Sequence, residues 1–406
     1  MTINNNVRRV IIEVLLILMF SVFLPNPTSI MVTHASTSTN VGYVKYTLVL
    51  SNNTLLLGNV IINNRDIDPY GIAYDPSNGY IYVAEAGSGI ISVINPSTNR
   101  VITNITIKRS PFDILYDPSN GYIYVSTLAG LLIINPSTNS VIGNVTLFLP
   151  CLSGLDTMTY DPSNGYMYVT LSVALYPIMV INSSTNKVVH LIKLGSLPHN
   201  IVTASGIVYD PSNGNIYVTN LRSNSVLVIN TSTDEEIANI SVGQDPIGLA
   251  YDPSNGYIYV TNHKSNTVSV INPRNNAVIA NIPVGKGPSS IAYDPSNGYL
   301  YVTDTKSNMV SVINPSTNEV VANITVGNGP QDIVYDPSNG YLYVTNCLSG
   351  TISIIYTQPA TPTQTSTSSP ISTTTPLPTT SSSTIKLPII IGAVVIVVVV
   401  GLVVFL

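Results

Sequence analysis

The chain carries few side chains that could do acid–base or metal chemistry. Only 9% of its 406 residues are charged, with 15 Lys and Arg against 20 Asp and Glu. It has four His and two Cys, and this excludes a disulfide-stapled scaffold and a Cys-based zinc domain. A net charge of −5 with so few cations argues against binding to nucleic acid. We therefore expect no metal and no cofactor.

Any functional site must be positioned by a sequence repeat that fills most of the chain. The string Tyr-Asp-Pro-Ser-Asn-Gly occurs seven times, with its Asp at Asp75, Asp117, Asp161, Asp210, Asp252, Asp294 and Asp336. Each copy contains four short apolar runs, A to D, separated by turn sequences in which Asp, Pro and Gly have defined turn roles. Seven groups of four antiparallel strands predict an all-β, seven-bladed β-propeller over residues 41–356.

The second strand carries a motif of four residues. It reads Tyr-Val-Thr-Asn at residues 217–220, 259–262 and 343–346, and Tyr-Val-Thr-Asp at 301–304. The chain therefore resembles the YVTN family of β-propeller repeats, which occurs in archaeal surface-layer and other secreted proteins. Blades 1 to 3 depart from the motif. The resemblance implies the propeller fold and a secreted or cell-surface protein, and it implies no particular reaction.

The two ends are typical of a membrane-anchored surface protein. Residues 1–35 predict a signal peptide, with basic residues before an apolar run and small residues before Ser36; the alternative is an uncleaved anchor. Residues 387–406 are apolar and uncharged, and they predict a transmembrane helix. The Ser/Thr/Pro-rich segment 357–386 predicts an extended stalk. We expect a single-pass protein whose propeller lies outside the cell.

Loop lengths indicate which face of the propeller carries a recognition site. The distance from strand C to strand D is the same in every copy, whereas the D–A segment varies most and the B–C segment slightly. Binding usually lies on variable loops held by a rigid scaffold. The candidates form a mixed-charge ring at the channel mouth; they are Glu85, Arg109, Asp113, His199, Arg222, Asp245, His263, Lys264, Lys286 and Asp304. The alternative is that charges simply collect in loops.

Three other interpretations compete at the level of single residues. His199 and His263 with Glu85 could imitate the channel sites of lyase and lactonase propellers, but their spacing does not support this. Asp in the A–B turns could suggest Ca²⁺, yet each turn offers one carboxylate, which suits capping of its own turn. Tyr-x-Tyr pairs such as Tyr257 and Tyr259 could stack on sugars, although packing between blades explains them better.

Glycosylation is expected on the exposed rim. Asn-x-Ser/Thr sequons occur at Asn52, Asn104, Asn144, Asn182, Asn230, Asn239 and Asn323. Four of them, Asn104, Asn144, Asn239 and Asn323, share one place on strand D. We expect some of these sites to carry N-linked glycans.

The sequence thus favours a cell-surface recognition, adhesion or surface-layer scaffold module that binds a protein or glycan through the B–C/D–A face. An extracellular lyase or lactonase-like enzyme is the alternative. The partners expected are the membrane, through the C-terminal helix, and an envelope protein or glycan. We expect no disulfide between Cys151 and Cys347, because several blades separate them and a disulfide needs Cα atoms within about 7 Å.

Ring closure can also be predicted. The last repeat ends at Tyr356 without a strand D, and residues 55–62 align with the strand D of blade 6, residues 319–326. Blade 7 should therefore take three strands from the C-terminal end and one from the N-terminal end. Residues 46–50 should add a fifth strand outside it; the alternative is that they displace the similar segment 351–355.

Overall fold

A computed structural model of the chain describes residues 31–33, 47–51, 54–61, 68–145, 155–171, 177–194 and 202–357. Every regular element in these ranges is a β-strand. The strands are β1 (Met31–Thr33), β2 (Thr47–Ser51), β3 (Thr54–Ile61), β4 (Pro69–Asp75), β5 (Tyr80–Glu85), β6 (Ile90–Asn95), β7 (Arg100–Thr106), β8 (Pro111–Asp117), β9 (Tyr122–Thr127), β10 (Gly130–Asn135), β11 (Ser140–Val145), β12 (Leu155–Asp161), β13 (Tyr166–Leu171), β14 (Ile178–Asn182), β15 (Lys187–Ile192), β16 (Ala204–Asp210), β17 (Asn215–Asn220), β18 (Ser225–Asn230), β19 (Glu235–Ser241), β20 (Pro246–Asp252), β21 (Tyr257–Asn262), β22 (Thr267–Asn272), β23 (Ala277–Pro283), β24 (Pro288–Asp294), β25 (Tyr299–Asp304), β26 (Met309–Asn314), β27 (Glu319–Thr325), β28 (Pro330–Asp336), β29 (Tyr341–Asn346) and β30 (Thr351–Thr357).

The predicted seven-bladed propeller is confirmed. Six blades are four-stranded antiparallel sheets in the order A-B-C-D, beginning with β4 in blade 1 and β24 in blade 6. The A strands of successive blades lie against one another, and β28 of blade 7 lies against β4 of blade 1, so the A strands form the inner wall of a closed ring. We call the side with the B–C and D–A loops the mouth face, and the side with the A–B and C–D turns the turn face.

Blade 7 closes the ring with strands from both ends of the described chain, as predicted. Its sheet has the order β1-β2-β3-β30-β29-β28, so β3 is its strand D and β2 is the expected fifth strand. The register is also as predicted, since Asn59 pairs with Ser353 just as Asn323 pairs with Ser311 in blade 6. The additional strand β1 was not expected. It lies inside the predicted signal peptide, and cleavage after Ala35 would remove it.

The A–B turns are built as their residue types predict. In blade 1, Asp75 Oδ1 accepts hydrogen bonds from the Ser77 backbone N–H at 2.8 Å and from the Ser77 hydroxyl at 2.7 Å. Gly79 donates its N–H to the Asp75 carbonyl and has a φ of 74°, a left-handed conformation that glycine adopts without steric cost. The Asp side chain therefore caps its own turn.

Packing between blades holds the ring together. The second Tyr of each Tyr-x-Tyr pair is fully buried, for example Tyr82 and Tyr124. The Tyr82 hydroxyl accepts a hydrogen bond from Asn78 in its own blade and donates one to Asn139 in the next. The packing role expected for these rings is confirmed, and burial raises the pKa of Tyr82 to about 12.

In several blades, a threonine hydroxyl on strand B links the blade to the next one by hydrogen bonds. Thr261 Oγ1 accepts the N–H of Gly248 in its own blade at 2.7 Å and donates to the carbonyl of Ser289 in the next blade at 2.6 Å. The same two bonds recur at Thr219, Thr303 and Thr345. Blade 1 carries Ala84 at this position, so this connection is missing between blades 1 and 2.

The segments expected at the membrane lie outside the described residues. These are the signal peptide apart from β1, the stalk after Thr357 and the helix at 387–406. Among the residues that the structure describes, no helix is long and apolar enough to span a bilayer. Cys347 carries a free thiol, and Cys151 is not among the described residues, so the absence of a disulfide between them stays a prediction.

Candidate functional site

The mouth face holds a cavity of about 430 Å³ at the centre of the ring. Its wall comes from the second and third residues of the A strands, together with His263 from a B–C loop. Second-position residues that line it are Tyr70, Phe112, Ser205, Ile247, Ser289 and Gln331. The second and third positions differ from blade to blade, whereas every A strand ends in Tyr-Asp, so the cavity wall is not symmetric around the ring.

Third-position residues connect blades. Asp332 Oδ2 accepts the N–H of Ile72 in blade 1 at 3.0 Å, and its Oδ1 accepts the hydroxyl of Ser290 in blade 6 at 2.7 Å. Asp113 does the same between blades 2 and 3, since its Oδ2 accepts the N–H of Met158 at 2.9 Å. Both carboxylates also accept the N–H of the residue that follows them. These two acids are thus engaged in holding the ring, although they line the cavity.

One side of the cavity is aromatic. Tyr70 and Phe112 come from neighbouring blades, and their rings meet edge to face with centroids 6.1 Å apart. Tyr70 is 43% exposed, which is unusual for a large aromatic side chain. The next residue, Gly71, has no room for a Cβ because the carbonyl of Phe112 lies against it. The backbone therefore brings the two rings together.

His263 lies in the cavity wall and is half-buried. Its Nδ1 lies 3.2 Å from the carbonyl oxygen of Pro288. Since a carbonyl can only accept, Nδ1 carries the proton and Nε2 is left as an acceptor. Burial lowers the pKa of His263, and the positive charge of Lys306 lowers it further. The His263 imidazole is therefore neutral at pH 7.

Two of the acids expected in the charged ring are fully buried. Glu85 and Asp304 occupy the last position of strand B and contact serines on strand C. Ser311 donates to Asp304 Oδ2 at 2.7 Å, and Ser92 is bonded to Glu85 Oε1. Burial raises the pKa of Glu85, and it raises that of Asp304 to about 6. Neither side chain contributes an accessible charge to the mouth, which corrects the expectation of a ring that includes them.

Most of the other candidates lie outside the cavity. Asp245 pairs with Lys264 at 3.0 Å on the surface, where such a pair stabilises by less than about 1 kcal/mol. Arg109, Arg222 and Lys286 are exposed loop residues outside the cavity lining. Of the ten candidates, the structure brings Asp113 and His263 into the cavity. His199 lies outside the described residues.

The residues that sequence reasoning missed are the second residues of the A strands. Their signal in the sequence is variation at the second and third positions of strands that all end in Tyr-Asp. Within the described ranges, no group of three or more His, Cys, Asp or Glu side chains converges in a way that could hold a metal ion.

The strand D sequons lie on the rim. Asn104, Asn144, Asn239 and Asn323 are all exposed. Asn104 Oδ1 lies 2.8 Å from Ser92 Oγ, and Asn323 Oδ1 lies 3.0 Å from Ser311 Oγ. Asn182 and Asn230 are partly buried and accept hydrogen bonds within their own C–D turns. Asn52 is outside the described residues.

Comparison with known proteins supports the fold alone. No family model matches the chain, and no curated protein matches it. Among solved structures, hydrazine synthase of Kuenenia stuttgartiensis is similar with a TM-score of 0.62 and 16% identity, covering 73% of this chain and 97% of that one. A streptogramin B lyase structure is similar with a TM-score of 0.63 and 15% identity, covering 75% and 97%.

Proposed function

We propose that the protein is a cell-surface recognition module that binds a neutral carbohydrate in the mouth cavity. In this proposal the segment 387–406 anchors it in the membrane, the segment 357–386 is a glycosylated stalk, and the repeat belongs with surface-layer-type YVTN proteins. The function combines adhesion and scaffolding at the cell envelope.

The observation that supports this ligand class is the chemistry of the cavity wall. Tyr70 offers an exposed ring on which the C–H face of a sugar can pack. Ser205, Ser289 and Gln331 place neutral hydrogen-bonding groups in the cavity wall, where the Ser289 hydroxyl also donates to Gln331 Oε1 at 3.3 Å. The two described carboxylates in the wall, Asp113 and Asp332, already accept backbone N–H groups. A concave site with an aromatic side and a few neutral polar groups suits an uncharged polyhydroxyl ligand.

A glycan array probed with the full-length chain tests this proposal. The protein should bind a small set of neutral glycans, and Tyr70→Ala should weaken that binding by about tenfold through loss of the aromatic contact. Leu128→Ala is the matched control, because Leu128 is 61% exposed and lies outside the cavity lining. Selective binding of anionic glycans, or equal effects of the two variants, would refute the proposal.

An extracellular lyase or lactonase-like enzyme is the second candidate, and His263 is the observation that favours it. Its neutral imidazole with an unprotonated Nε2 in a cavity is suited to general base catalysis. Incubation of the full-length chain with a panel of lactones tests this role. Ring opening should be detected, and it should be lost in His263→Gln while ligand binding is retained.

A further inference from the structure

The turn face has its own cavities, which lie at the seams between blades. One, of about 380 Å³, lies between blades 7 and 1, and another, of about 450 Å³, lies between blades 4 and 5. Both are built from the same parts: the A–B turn of one blade and the A–B and C–D turns of the next. We call these cavities seam clefts. They are on the opposite side of the ring from the mouth cavity.

The seam cleft between blades 7 and 1 is lined by two equivalent aromatic residues. Tyr341 and Tyr80 are the first residues of strand B in the two blades, and both are partly exposed. Their companions in the Tyr-x-Tyr pairs, Tyr343 and Tyr82, are fully buried. In these two blades the inner ring is buried, whereas the outer ring both packs against the core and lines the cleft.

The remaining wall of this cleft is neutral and polar. Asn78 is held in place because its Oδ1 accepts the N–H of Tyr80 at 2.8 Å. Asn99 on the C–D turn is half-buried and lines the cleft. Ser97 at the edge of the cleft is exposed. Amide, hydroxyl and phenol groups around a cavity, with no charged side chain in the lining, match a polyhydroxyl ligand.

We propose that the turn face is a second binding surface, which holds separate units of one neutral polysaccharide chain in the two seam clefts. The turns that line the two clefts are equivalent in the repeat, although the cleft between blades 4 and 5 is lined by Tyr251 and Arg274 and not by the first residues of strand B. A polymer that enters both clefts at once gains avidity from its high effective concentration. The variable mouth suits one specific ligand, whereas the repeated turn face suits a repeated one.

Blade 4 provides a natural control for this proposal. It carries Asn215 where most blades carry the outer Tyr, so the fold tolerates Asn at this position. Tyr80→Asn combined with Tyr341→Asn removes both rings from one cleft, and its melting temperature shows whether the loss of their packing against the core affects folding. Asn215→Tyr adds a ring to the seams beside blade 4.

The test measures binding of the full-length chain to immobilised α-mannan, dextran and chitin oligomers, with the corresponding monosaccharides as competitors. At least one polymer should bind about tenfold or more tightly per sugar unit than its monosaccharide. The double variant should weaken this binding by about threefold to tenfold at an unchanged melting temperature. Asn215→Tyr should strengthen it, and Tyr70→Ala should leave it unchanged.

Three results would overturn the inference: no polymer in the panel binds, polymer and monosaccharide bind equally, or the double variant binds as the wild type does. Loss of polymer binding in Tyr70→Ala with retention in the double variant would place the ligand in the mouth. The proposed function would then stand, and the turn-face inference would fail.

Discussion

Asp304→Asn should stabilise the propeller at neutral pH, because a buried hydroxyl cannot serve two acceptors. Ser311 Oγ lies 2.7 Å from Asp304 Oδ2 and 3.0 Å from Asn323 Oδ1, and it has one proton. A protonated Asp304 resolves the conflict: the carboxyl donates to Ser311, which then donates to Asn323. Blade 5 makes the same chain with an amide, since Asn262 Nδ2 donates to Ser269 at 2.9 Å.

The magnitude follows from the carboxyl pKa. Burial raises the pKa of Asp304 from 3.8 to about 6, and each pKa unit corresponds to about 1.4 kcal/mol. The folded state therefore binds a proton more tightly than the unfolded state does. The favourable contribution is fully present below pH 3.8 and is lost as the pH rises through about 6. At pH 7 the wild type lacks about 3 kcal/mol that Asp304→Asn retains.

Urea unfolding at several pH values between 4 and 7 measures this difference. The free energy of unfolding of Asp304→Asn should exceed that of the wild type by about 2–3 kcal/mol at pH 7, and the difference should shrink towards pH 4. Asn262→Asp, which places an acid in the equivalent position of blade 5, should show the opposite sign. A constant difference between the two proteins across this pH range, or a destabilised Asp304→Asn at pH 7, would refute the reasoning.

Four further variants test the contacts between blades and the closure of the ring. Ala84→Thr should raise the free energy of unfolding by about 1 kcal/mol, because it supplies the hydroxyl that is missing between blades 1 and 2. Thr261→Val removes such a hydroxyl and should lower the free energy of unfolding by about 1–3 kcal/mol. Urea unfolding at pH 7 measures both changes. Asp332→Leu should lower the melting temperature, because it removes the acceptor for N–H and hydroxyl groups of three blades, and a melting temperature equal to that of Arg109→Ala would contradict this role. Deletion of residues 41–62 removes strand D of blade 7 and should lower the melting temperature of the whole propeller, as circular dichroism would show. An unchanged melting curve would mean that the N-terminal strand does not hold the ring closed.

Most of the fold could be predicted because contacts between residues that are close in sequence determine the turns of each repeat. The first A–B turn is held by contacts within five residues, among Asp75, Ser77 and Gly79. The turn can therefore be predicted from the sequence. Alternation and spacing then set the four strands, and the alignment of 55–62 with 319–326 identified the strand that closes the ring. The closure of the ring could also be predicted, because the last repeat lacks a strand D and an N-terminal segment resembles one.

The site was decided by tertiary structure. Glu85 and Asp304 end their strands as hydrophilic residues beside a loop, but the pleat turns them towards serines on the neighbouring strand, where water is excluded. Tyr70 and Phe112 look like ordinary strand residues, yet they converge because the A strands of successive blades meet at the ring axis. Burial and convergence depend on how the blades are arranged around that axis, and no single repeat contains this information.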